Sequence, residues 1–547
     1  MLSTPLLTDA NGDFTVTAGS YTCPLGSSTL YAVATEGVVA GSGTASNDVI
    51  ALMTVPGTCS AVSAGPPYVL DEITTLASVY AFRPFLGPGA QMGSTATNTS
   101  GLGLAATTLA SLANLTTGTS PGQAFPLNGT SPAPRLNSLA NVLHECLVAP
   151  AGAGSVACAS LFAATTVATT APTNVLDAAL SIADHPGNHA AALFTLGQTS
   201  SAFVPALATA PADWTLPIAF TGGGVNEPTA VAIDSVGRIW VTNRVGVASL
   251  FSNTGVPAFP NGITGYGLNG SVGGAVDAHD QFWVTNQGSD PSVNNGKGSV
   301  TVLNSSGPAF PGTSYITAGG LYEPIAVAFD ESSTAWVLDY YDNAVTVLSD
   351  TGVPLSGSSG YGSTQFAFAN GIAVDKQGNG WVANSTSDAG TVTEIASDGS
   401  TFTSYVVGAG PSAVAVDADN NIWSANYFGD SIGLVSAGHV RSGSGFTGGG
   451  VFHPLSLQAD SDGTIWVANY RLPGISQLAG ASTHQPGQAL SPDAGWAPDL
   501  GMVQAQSLAI DAAGNIWVVS NGDGRIVEFV GLAAPVKTPL LGSTRVP

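Results

Sequence analysis

A pattern of apolar and polar positions recurs seven times in the C-terminal part of the chain. The copy AVAIDSVGRIWVTN, from Ala230 to Asn243, shows its parts: a short apolar run, a polar turn that begins with Asp, and a second apolar run that contains Trp. Short apolar runs on either side of a tight polar turn predict two antiparallel strands. The Asp and the Trp stand six positions apart in the pairs Asp234/Trp240, Asp277/Trp283, Asp330/Trp336, Asp375/Trp381, Asp417/Trp423, Asp460/Trp466 and Asp511/Trp517.

The spacing of the copies predicts one structural unit for each. Successive Asp residues are 43, 53, 45, 42, 43 and 51 residues apart, and each copy is followed by a third alternating segment, such as GSVTVLN or GTVTEIA. A Gly-rich fourth segment completes the unit, and four short strands in about 40–50 residues are typical of a β-propeller blade. We expect each Asp carboxylate to accept backbone N–H groups of its turn. We expect each Trp to fill the gap between neighbouring blades.

The sequence also indicates how the blades close into a ring. The segment FTGGGV at Phe220–Val225 recurs at Phe446–Val451, where it leads into blade six. The first copy therefore follows an outer strand, 215–220, which we expect to pair with 525–530 and so to cover an edge that would otherwise invite association. Residues 213–531 resemble the NHL-repeat and virginiamycin B lyase-like propellers, whose blades read P-x-x-IAVD-x-x-G-x-IWV-x-N. The resemblance implies a mainly β protein with a seven-bladed propeller, and it implies no single function.

The chain before the propeller predicts two further parts. The segments LTDANGDFTVTAGSYTCP, STLYAVATEG and DVIALMTVPGTC read as a hairpin and further strands, and they resemble part of a carboxypeptidase-regulatory or Cna-B-like β-sandwich over 1–67. Helical spacing in LDEITTLASVYAFRPF, LGLAATTLASLANL, RLNSLANVLHECLVA and TNVLDAALSIADHP predicts a small α-helical domain over 68–200. We expect a linker at 201–212 and a tail at 532–547.

Composition excludes two classes of partner. Charged residues make up 8% of the chain, and 35 acids against 11 bases give a net charge of −24. Nucleic acid and anionic membrane surfaces require clustered Lys and Arg, so neither is an expected partner. The sequence also contains no apolar stretch long enough for a membrane span.

The four cysteines indicate a location. None belongs to a CxxC pair, which argues against zinc or thioredoxin chemistry. By proximity we expect the disulfides Cys23–Cys59 and Cys146–Cys158, and hence an extracellular or cell-envelope protein. Four buried free thiols are the alternative. The first residues, MLSTPLLTDA, do not read as a signal peptide, and we expect that the true start lies upstream.

Function is expected where the repeat varies, on the loops at one face. The position seven residues before each Asp should line the mouth of the central channel, and two positions later there should be a second ring. The first ring is Glu227, Gly270, Glu323, Phe368, Gly410, His453 and Gln504. The second ring is Thr229, Val272, Ile325, Asn370, Ser412, Leu455 and Gln506.

These rings contain a candidate metal site. Carboxylate and amide oxygens are ligands for a hard cation, so Ca²⁺ or Mg²⁺ is the candidate cofactor. The candidate ligands are Glu227, Glu323, Asn370, His453 and Gln504, and the candidate catalytic residues are His453, Glu227 and Glu323. The plan resembles gluconolactonase and paraoxonase-type propellers, with a metal at the channel mouth, and streptogramin lyases, which use a His, a Glu and a divalent metal. The blades of those lyases commonly carry W-F-T-E. In this chain the last position of that motif is instead Asn243, Asn286, Asp339, Asn384, Asn426, Asn469 or Ser520. The alternative to a metal site is that the polar residues of the two rings solvate a water-filled channel.

Aromatic residues suggest a ligand-binding face. They follow the Asn position in blades three, five and six, where they would decorate one face as carbohydrate or peptide sites do. The candidates are Tyr340, Tyr341, Tyr427, Phe428, Tyr470 and Arg471, with blade packing as the alternative. We therefore expect a non-catalytic module that binds a protein, peptide or glycan. A divalent-metal lyase or lactonase at the channel mouth is the first rival, and a purely structural surface protein is the second.

Overall fold

The seven-bladed propeller is confirmed. The computed structural model describes residues 5–17, 21–37, 47–62, 66–149, 152–288, 292–309, 315–362 and 364–547. Each blade is an antiparallel sheet whose first strand, A, lines a central channel and whose strands B and C follow outward. The A strands of neighbouring blades contact each other all the way round, including blade seven against blade one.

The strand bounds follow the repeat. The A and B strands are Pro228–Ile233 and Ile239–Asn243, Ser271–Val276 and Phe282–Asn286, Pro324–Phe329 and Ala335–Asp339, Ala369–Val374 and Gly380–Asn384, Pro411–Val416 and Ile422–Asn426, Pro454–Ala459 and Ile465–Asn469, and Ala505–Ile510 and Ile516–Ser520. The C strands are Val247–Phe251, Ser299–Asn304, Ala344–Leu348, Gly390–Ile395, Ser431–Ser436, Ile475–Leu478 and Arg525–Phe529. Outer strands are Ile263–Thr264, Gly307–Pro308, Tyr315–Ile316, Tyr361–Gly362, Phe402–Gly408 and His439–Val440. In blade six, Trp496 bridges to Ile475 where the other blades have an outer strand.

Blade seven joins the two ends of the propeller. Pro217–Phe220 pairs antiparallel with Arg525–Phe529, with Ile526 opposite Phe220. A short strand from the helical region, Gly129–Thr130, then adds to the outer side of Pro217–Phe220. The outer strand of the closing blade is therefore covered along part of its length, which reduces its tendency to pair with another chain.

The repeated Asp and Trp are bonded to each other. In six blades one Asp oxygen accepts the backbone N–H groups two and four residues on, and the other accepts the indole N–H of the Trp at 2.9–3.2 Å. In blade three the carboxylate of Asp330 still binds its turn, but the indole nitrogen of Trp336 is buried without a partner. The Trp rings also pack against the next blade, as in the stack of Trp240 on Phe282 with ring centres 5.1 Å apart. The expected turn and wedge roles are present, and the Asp–Trp bond was not foreseen.

Seven α-helices occupy about half of the described chain between residues 59 and 197. Within the described residues they are α1 Cys59–Val62, α2 Glu72–Phe82, α3 Gly101–Leu112, α4 Ala133–Leu147, α5 Val156–Ala164, α6 Val175–Asp184 and α7 Ala190–Gly197. The four segments with helical spacing form α2, α3, α4 and α6, whereas α5 and α7 are short, Ala-rich helices without a clear polar face. A two-residue hairpin pairs Leu86–Gly87 with Gln91–Met92. No helix among these is long and apolar enough to cross a membrane.

The predicted partial β-sandwich is not confirmed. Residues 1–4, 18–20, 38–46 and 63–65 of that region lie outside the described residues. The rest contains one two-stranded sheet, Thr29–Thr35 with Ala51–Thr58, and the turn at Asp9–Asp13 has no strand on either side. The second of these strands packs on α2, where the Thr75 hydroxyl accepts the backbone N–H of Met53 at 2.9 Å. Among the described residues, this strand packs against helices α2 and α6.

Both expected disulfides are present, and they tie this region together. Cys23 is bonded to Cys59 at the start of α1, and Cys146 near the end of α4 is bonded to Cys158 in α5. The second bond joins residues only 12 positions apart and lies in the core, since both cysteines are fully buried.

The helices and the propeller share one apolar core. Buried side chains of α2, α4 and α6 belong to the same cluster as Trp214 and Trp517. The guanidinium group of Arg135 in α4 donates to the carbonyl oxygens of Asp213 and Thr215 and forms an ion pair with Asp499. The segment 201–212 is bound along α4 in the same way, for example through Asn141 and Phe203.

Candidate functional site

The channel has two different ends. One end, here called the turn face, carries the Asp turns between strands A and B. The other, the loop face, carries the loops that enter each strand A and those that leave each strand B. The A strands enclose one cavity near each end, of about 230 Å³ at the turn face and about 490 Å³ at the loop face. Five residues line both cavities and lie where the two cavities meet: Gly274, Val327, Ile372, Val414 and Ser456.

The C-terminal tail closes the turn face. Its backbone N–H groups donate from Val536 to Asp511, from Gly542 to Phe329 and from Thr544 to Val416, at 3.0, 2.7 and 2.9 Å. These acceptors belong to blades seven, three and five, so the tail runs across the ring. Residues 538, 540, 542 and 544 complete the lining of the smaller cavity. A ligand therefore has access to the channel from the loop face.

The larger cavity, here called the cup, is lined by the second predicted ring. Thr229, Val272, Ile325, Asn370, Ser412, Leu455 and Gln506 all face it. Ser385, Tyr427 and Phe428, which follow strand B of blades four and five, add to one side. None of the described residues that line the cup is charged, although the chain as a whole carries a net charge of −24.

The first predicted ring has a backbone role. All seven residues adopt left-handed backbone conformations, with φ between 47° at Glu227 and 64° at Gly410. Each carbonyl oxygen in this ring accepts the N–H of the residue that follows strand B, as Arg244 donates to Glu227 and Tyr470 to His453. The loop reverses sharply here, so these side chains are not among those that line the cup.

The predicted metal ligands are consequently not gathered. Of the five, only Asn370 lines the cup. Across the described part of the chain, no three His, Cys, Asp or Glu side chains are close enough to hold a metal ion, and this includes the set Glu227, Glu323 and His453.

The Asn position that departs from the lyase motif is structural. In most blades its oxygen accepts the N–H of the residue before the left-handed position, and its amide donates to hydroxyl groups on strand C. Asn384, for example, accepts from Ala367 at 3.3 Å and donates to Thr393 at 2.9 Å. In blade three the residue is Asp339, whose burial raises its pKa to about 8 even though Thr346 and Tyr322 donate to the carboxylate. This buried position supports the loop face and has no access to a ligand.

Blades five and six present an aromatic wall, which we define as Tyr427, Phe428, Phe452, His453 and Tyr470. The Tyr427 ring lies edge-on to Phe428, at 5.2 Å between centres, and edge-on to His453, at 4.7 Å. His453 also contacts Phe452 at 4.7 Å, and Tyr470 lies 6.1 Å from Tyr427. Two members, Tyr427 and Phe428, line the cup.

Two neighbours hold this wall in place. The backbone N–H of His453 donates to the Asp430 carboxylate at 2.8 Å, and its ring nitrogen Nδ1 lies 3.0 Å from the same group, without hydrogen-bond geometry. At Gly410, a Cβ atom would collide with the ring of Phe428. The glycine at this left-handed position therefore leaves room for the Phe428 side chain, which is 57% exposed.

The remaining aromatic candidates lie on the same face but outside the cup. Tyr341 is stacked on Tyr322 with ring centres 4.2 Å apart, and the Lys297 ammonium lies 5.1 Å from the centre of the Tyr322 ring. Tyr340 is half-buried against the core of blade three, and Arg471 is exposed. Of the six predicted ligand residues, the structure brings Tyr427 and Phe428 to the cup.

Sequence reasoning named Asn370 only as a candidate metal ligand, placed Gln506 in the second ring without a role, and did not name Ser385. The side chains of Asn370, Gln506 and Ser385 reach it without a hydrogen-bond partner in the described structure, whereas Thr229 and Ser412 bond to backbone carbonyl oxygens. The signal was present, since Asn370 and Gln506 are the two amides of the second ring. It was passed over because the first ring holds the chemically richer side chains.

Comparison with known proteins supplies structural neighbours of low identity. No protein-family profile matches the chain, so the NHL assignment is not confirmed, and no curated protein matches it. Virginiamycin B lyase from Staphylococcus aureus is 13% identical, covers 57% of this chain and 98% of its own, and has a TM-score of 0.42. The WD40 propeller domain of Doa1 is 14% identical over 56% of this chain and 94% of its own, with a TM-score of 0.42. The extracellular domain of a putative one-component system from B. thetaiotaomicron is 13% identical. It covers 61% of this chain and 47% of its own, and its TM-score is also 0.42. At this identity and TM-score these likenesses carry no argument, and the seven blades are established from the strands of this chain.

Proposed function

We propose that this protein is a non-catalytic binding protein that holds its ligand in the cup, against the aromatic wall. The observation that carries the proposal is the position of Tyr427 and Phe428, which line a concave cavity of about 490 Å³. Small-molecule sites are typically clefts of about 300–1,000 Å³ with aromatic side chains and a few well-placed polar groups. The other described residues that line the cup have aliphatic, small polar or amide side chains, so Tyr427 and Phe428 supply its aromatic surface.

A lyase or lactonase at the channel mouth has less support. Such an enzyme needs acids and a His within reach of one point. Among the described residues, Glu227, Glu323 and His453 form no such group, and the position of the lyase-motif Glu is occupied by buried Asn, Asp or Ser residues that bond to the protein itself. Asp430 lies beside His453, and neither residue is among those that line the cup.

The proposed location is extracellular or in the cell envelope. All four cysteines form disulfide bonds, and such bonds persist in oxidising compartments. The sparse Lys and Arg, 11 in total, give no basic patch for an anionic surface. A protein, peptide or glycan partner outside the cytoplasm is consistent with both features.

The test is binding of the full chain to glycan and peptide arrays. Phe428→Ala removes the most exposed ring of the cup, and Tyr341→Ala is the matched control, because Tyr341 is an exposed aromatic residue on the same face outside the cup. We expect binding that Phe428→Ala abolishes and Tyr341→Ala retains. The opposite pattern would place the binding surface on blade three and refute the proposal.

A further inference from the structure

The cup has a specific chemical character that narrows the class of ligand. We propose that it binds the uncharged end of a carbohydrate, with a sugar ring against Phe428 and Tyr427 and hydrogen bonds to Asn370 and Gln506. This inference rests on the proposed function, since it names the ligand of the same cup. Three independent properties carry it: the charge of the lining, its free hydrogen-bonding groups, and the position of its exposed ring.

The first property is charge. The described lining has no Asp, Glu, Lys, Arg or His, although the chain has 35 acids and 11 bases. A ligand charge buried here would lose hydration without gaining a counter-charge, which is costly. The net charge of −24 also repels anions from the protein as a whole. A neutral ligand avoids this cost of burying an uncompensated charge.

The second property is hydrogen bonding. Asn370 lies in blade four and Gln506 in blade seven, and neither side-chain amide has a protein partner in the described structure. An amide offers two donors and an acceptor, so it matches groups that also donate and accept. Sugar hydroxyl groups have this dual character, and the Ser385 hydroxyl provides a third such contact on the side of Asn370. Amides on separated blades can hold a ligand that spans the cup.

The third property is the exposed ring. Phe428 is 57% exposed beside the cup, and Tyr427 stands edge-on to it, so their rings meet a ligand from two directions. The C–H face of a sugar ring is an apolar surface that packs on an aromatic ring while its hydroxyl edge stays polar. Val327, Ile372 and Val414 form an apolar lining below the cup, and the C-terminal tail lies across the far end of the channel. The arrangement suits a terminal sugar better than an internal segment that must pass through the channel.

The experiment compares three probe classes on the full chain. Uncharged gluco-, galacto-, manno- and xylo-oligosaccharides are titrated beside oligosaccharides of uronic acids and beside uncharged peptides. The variants are Phe428→Ala, Asn370→Asp and Gln506→Glu, with Tyr341→Ala as control. Asn370→Asp and Gln506→Glu keep the shape of the cup but remove donors and add a negative charge. Near-UV circular dichroism checks that each variant retains the native fold.

The expected result is binding of a neutral oligosaccharide that Phe428→Ala and Asn370→Asp each weaken by about tenfold or more. Tyr341→Ala should leave the affinity unchanged. If peptides or acidic sugars bind in a Phe428-dependent manner and neutral sugars do not, the carbohydrate inference is wrong and the proposed function stands. If no probe binds, or if Phe428→Ala has no effect on binding, the proposed function falls as well.

Discussion

Blade three has a buried acid where five other blades have Asn, and replacing it tests the account of this position. The side chain of Asp339 is fully buried, and desolvation raises its pKa to about 8. In Asp339→Asn the oxygen can still accept the N–H of Tyr322. The new amide can donate to the Thr346 hydroxyl, which then remains free to donate to the carbonyl oxygen of Gly319. The substitution therefore keeps the bonds and removes the need to bind a proton.

The magnitude follows from the pKa difference between the folded and unfolded chain. The unfolded carboxyl has its ordinary pKa of 3.8, and the folded pKa is about 8. Because the folded pKa is raised above 7, the carboxyl must take up a proton when the chain folds at pH 7. The pH then lies about three units above the unfolded pKa, and each unit costs about 1.4 kcal/mol, so this proton uptake costs about 4 kcal/mol. The stability contributed by the protonated form is complete below about pH 4 and is lost as the pH rises towards 8. At pH 5 the same reasoning gives under 2 kcal/mol.

Denaturant unfolding followed by tryptophan fluorescence measures this difference. We expect Asp339→Asn to be more stable than the natural chain, and the gain to grow by about 3 kcal/mol between pH 5 and pH 7. The other buried acids, such as Glu528 and Asp460, are common to both proteins and cancel in the comparison. Asn384→Asp in blade four is the reverse control and should lose stability, more at pH 7 than at pH 5. A gain that does not change with pH, or a less stable Asp339→Asn, would refute the reasoning.

Three further predictions concern stability. Asp277→Ala removes two hydrogen bonds to the turn and one to the indole, and it should lower the free energy of unfolding by about 3 kcal/mol. Asp330→Ala has no indole bond to lose and should lower it by about 2 kcal/mol. Equal losses in unfolding experiments would contradict the role of the Asp–Trp bond. Replacing Cys146 and Cys158 by Ser should cost about 3 kcal/mol, as estimated from a loop of 12 residues, and an unchanged melting temperature under oxidising conditions would argue against the estimate. Deletion of 532–547 uncovers the smaller cavity and exposes its apolar lining, so it should lower stability by at least about 3 kcal/mol and increase binding of a hydrophobic dye; a chain that melts like the full-length protein without dye binding would show that the tail is dispensable.

The candidate site was predictable only in part, because the pattern of apolar and polar residues does not predict the backbone conformation of its loops. The first ring contains Glu, His and Gln, and sequence reasoning directed these side chains at the channel. In the structure the same residues have positive φ, and their carbonyl oxygens complete the turn. Glycine at two of the seven positions, 270 and 410, was the available signal, since glycine adopts this conformation without steric cost. The second ring, two residues on, was named but was not given the leading role.

The N-terminal region shows the same limit for packing partners. The alternation of apolar and polar residues in Ala51–Thr58 correctly predicts a strand, but it does not predict which element packs on the apolar face of that strand. A sheet and a layer of helices both satisfy that face, and here the partner is α2. The four longer helices with apolar spacing were found, and the shorter α5 and α7, of 9 and 8 residues, were not singled out.

By itself, the sequence determined the seven blades, their strands, the Asp turns and the disulfide pairing. These features depend on residues a few positions apart, on a repeat of fixed length, or on nearby cysteines, and such local relations can be read from spacing. Only the tertiary structure decided the closure of the turn face by the tail, the collection of Asn370, Gln506, Tyr427 and Phe428 around one cup, and the separation of Glu227, Glu323 and His453. These depend on contacts between residues tens to hundreds of positions apart and on the sign of φ at single residues, and neither is encoded in a local pattern of apolar and polar side chains.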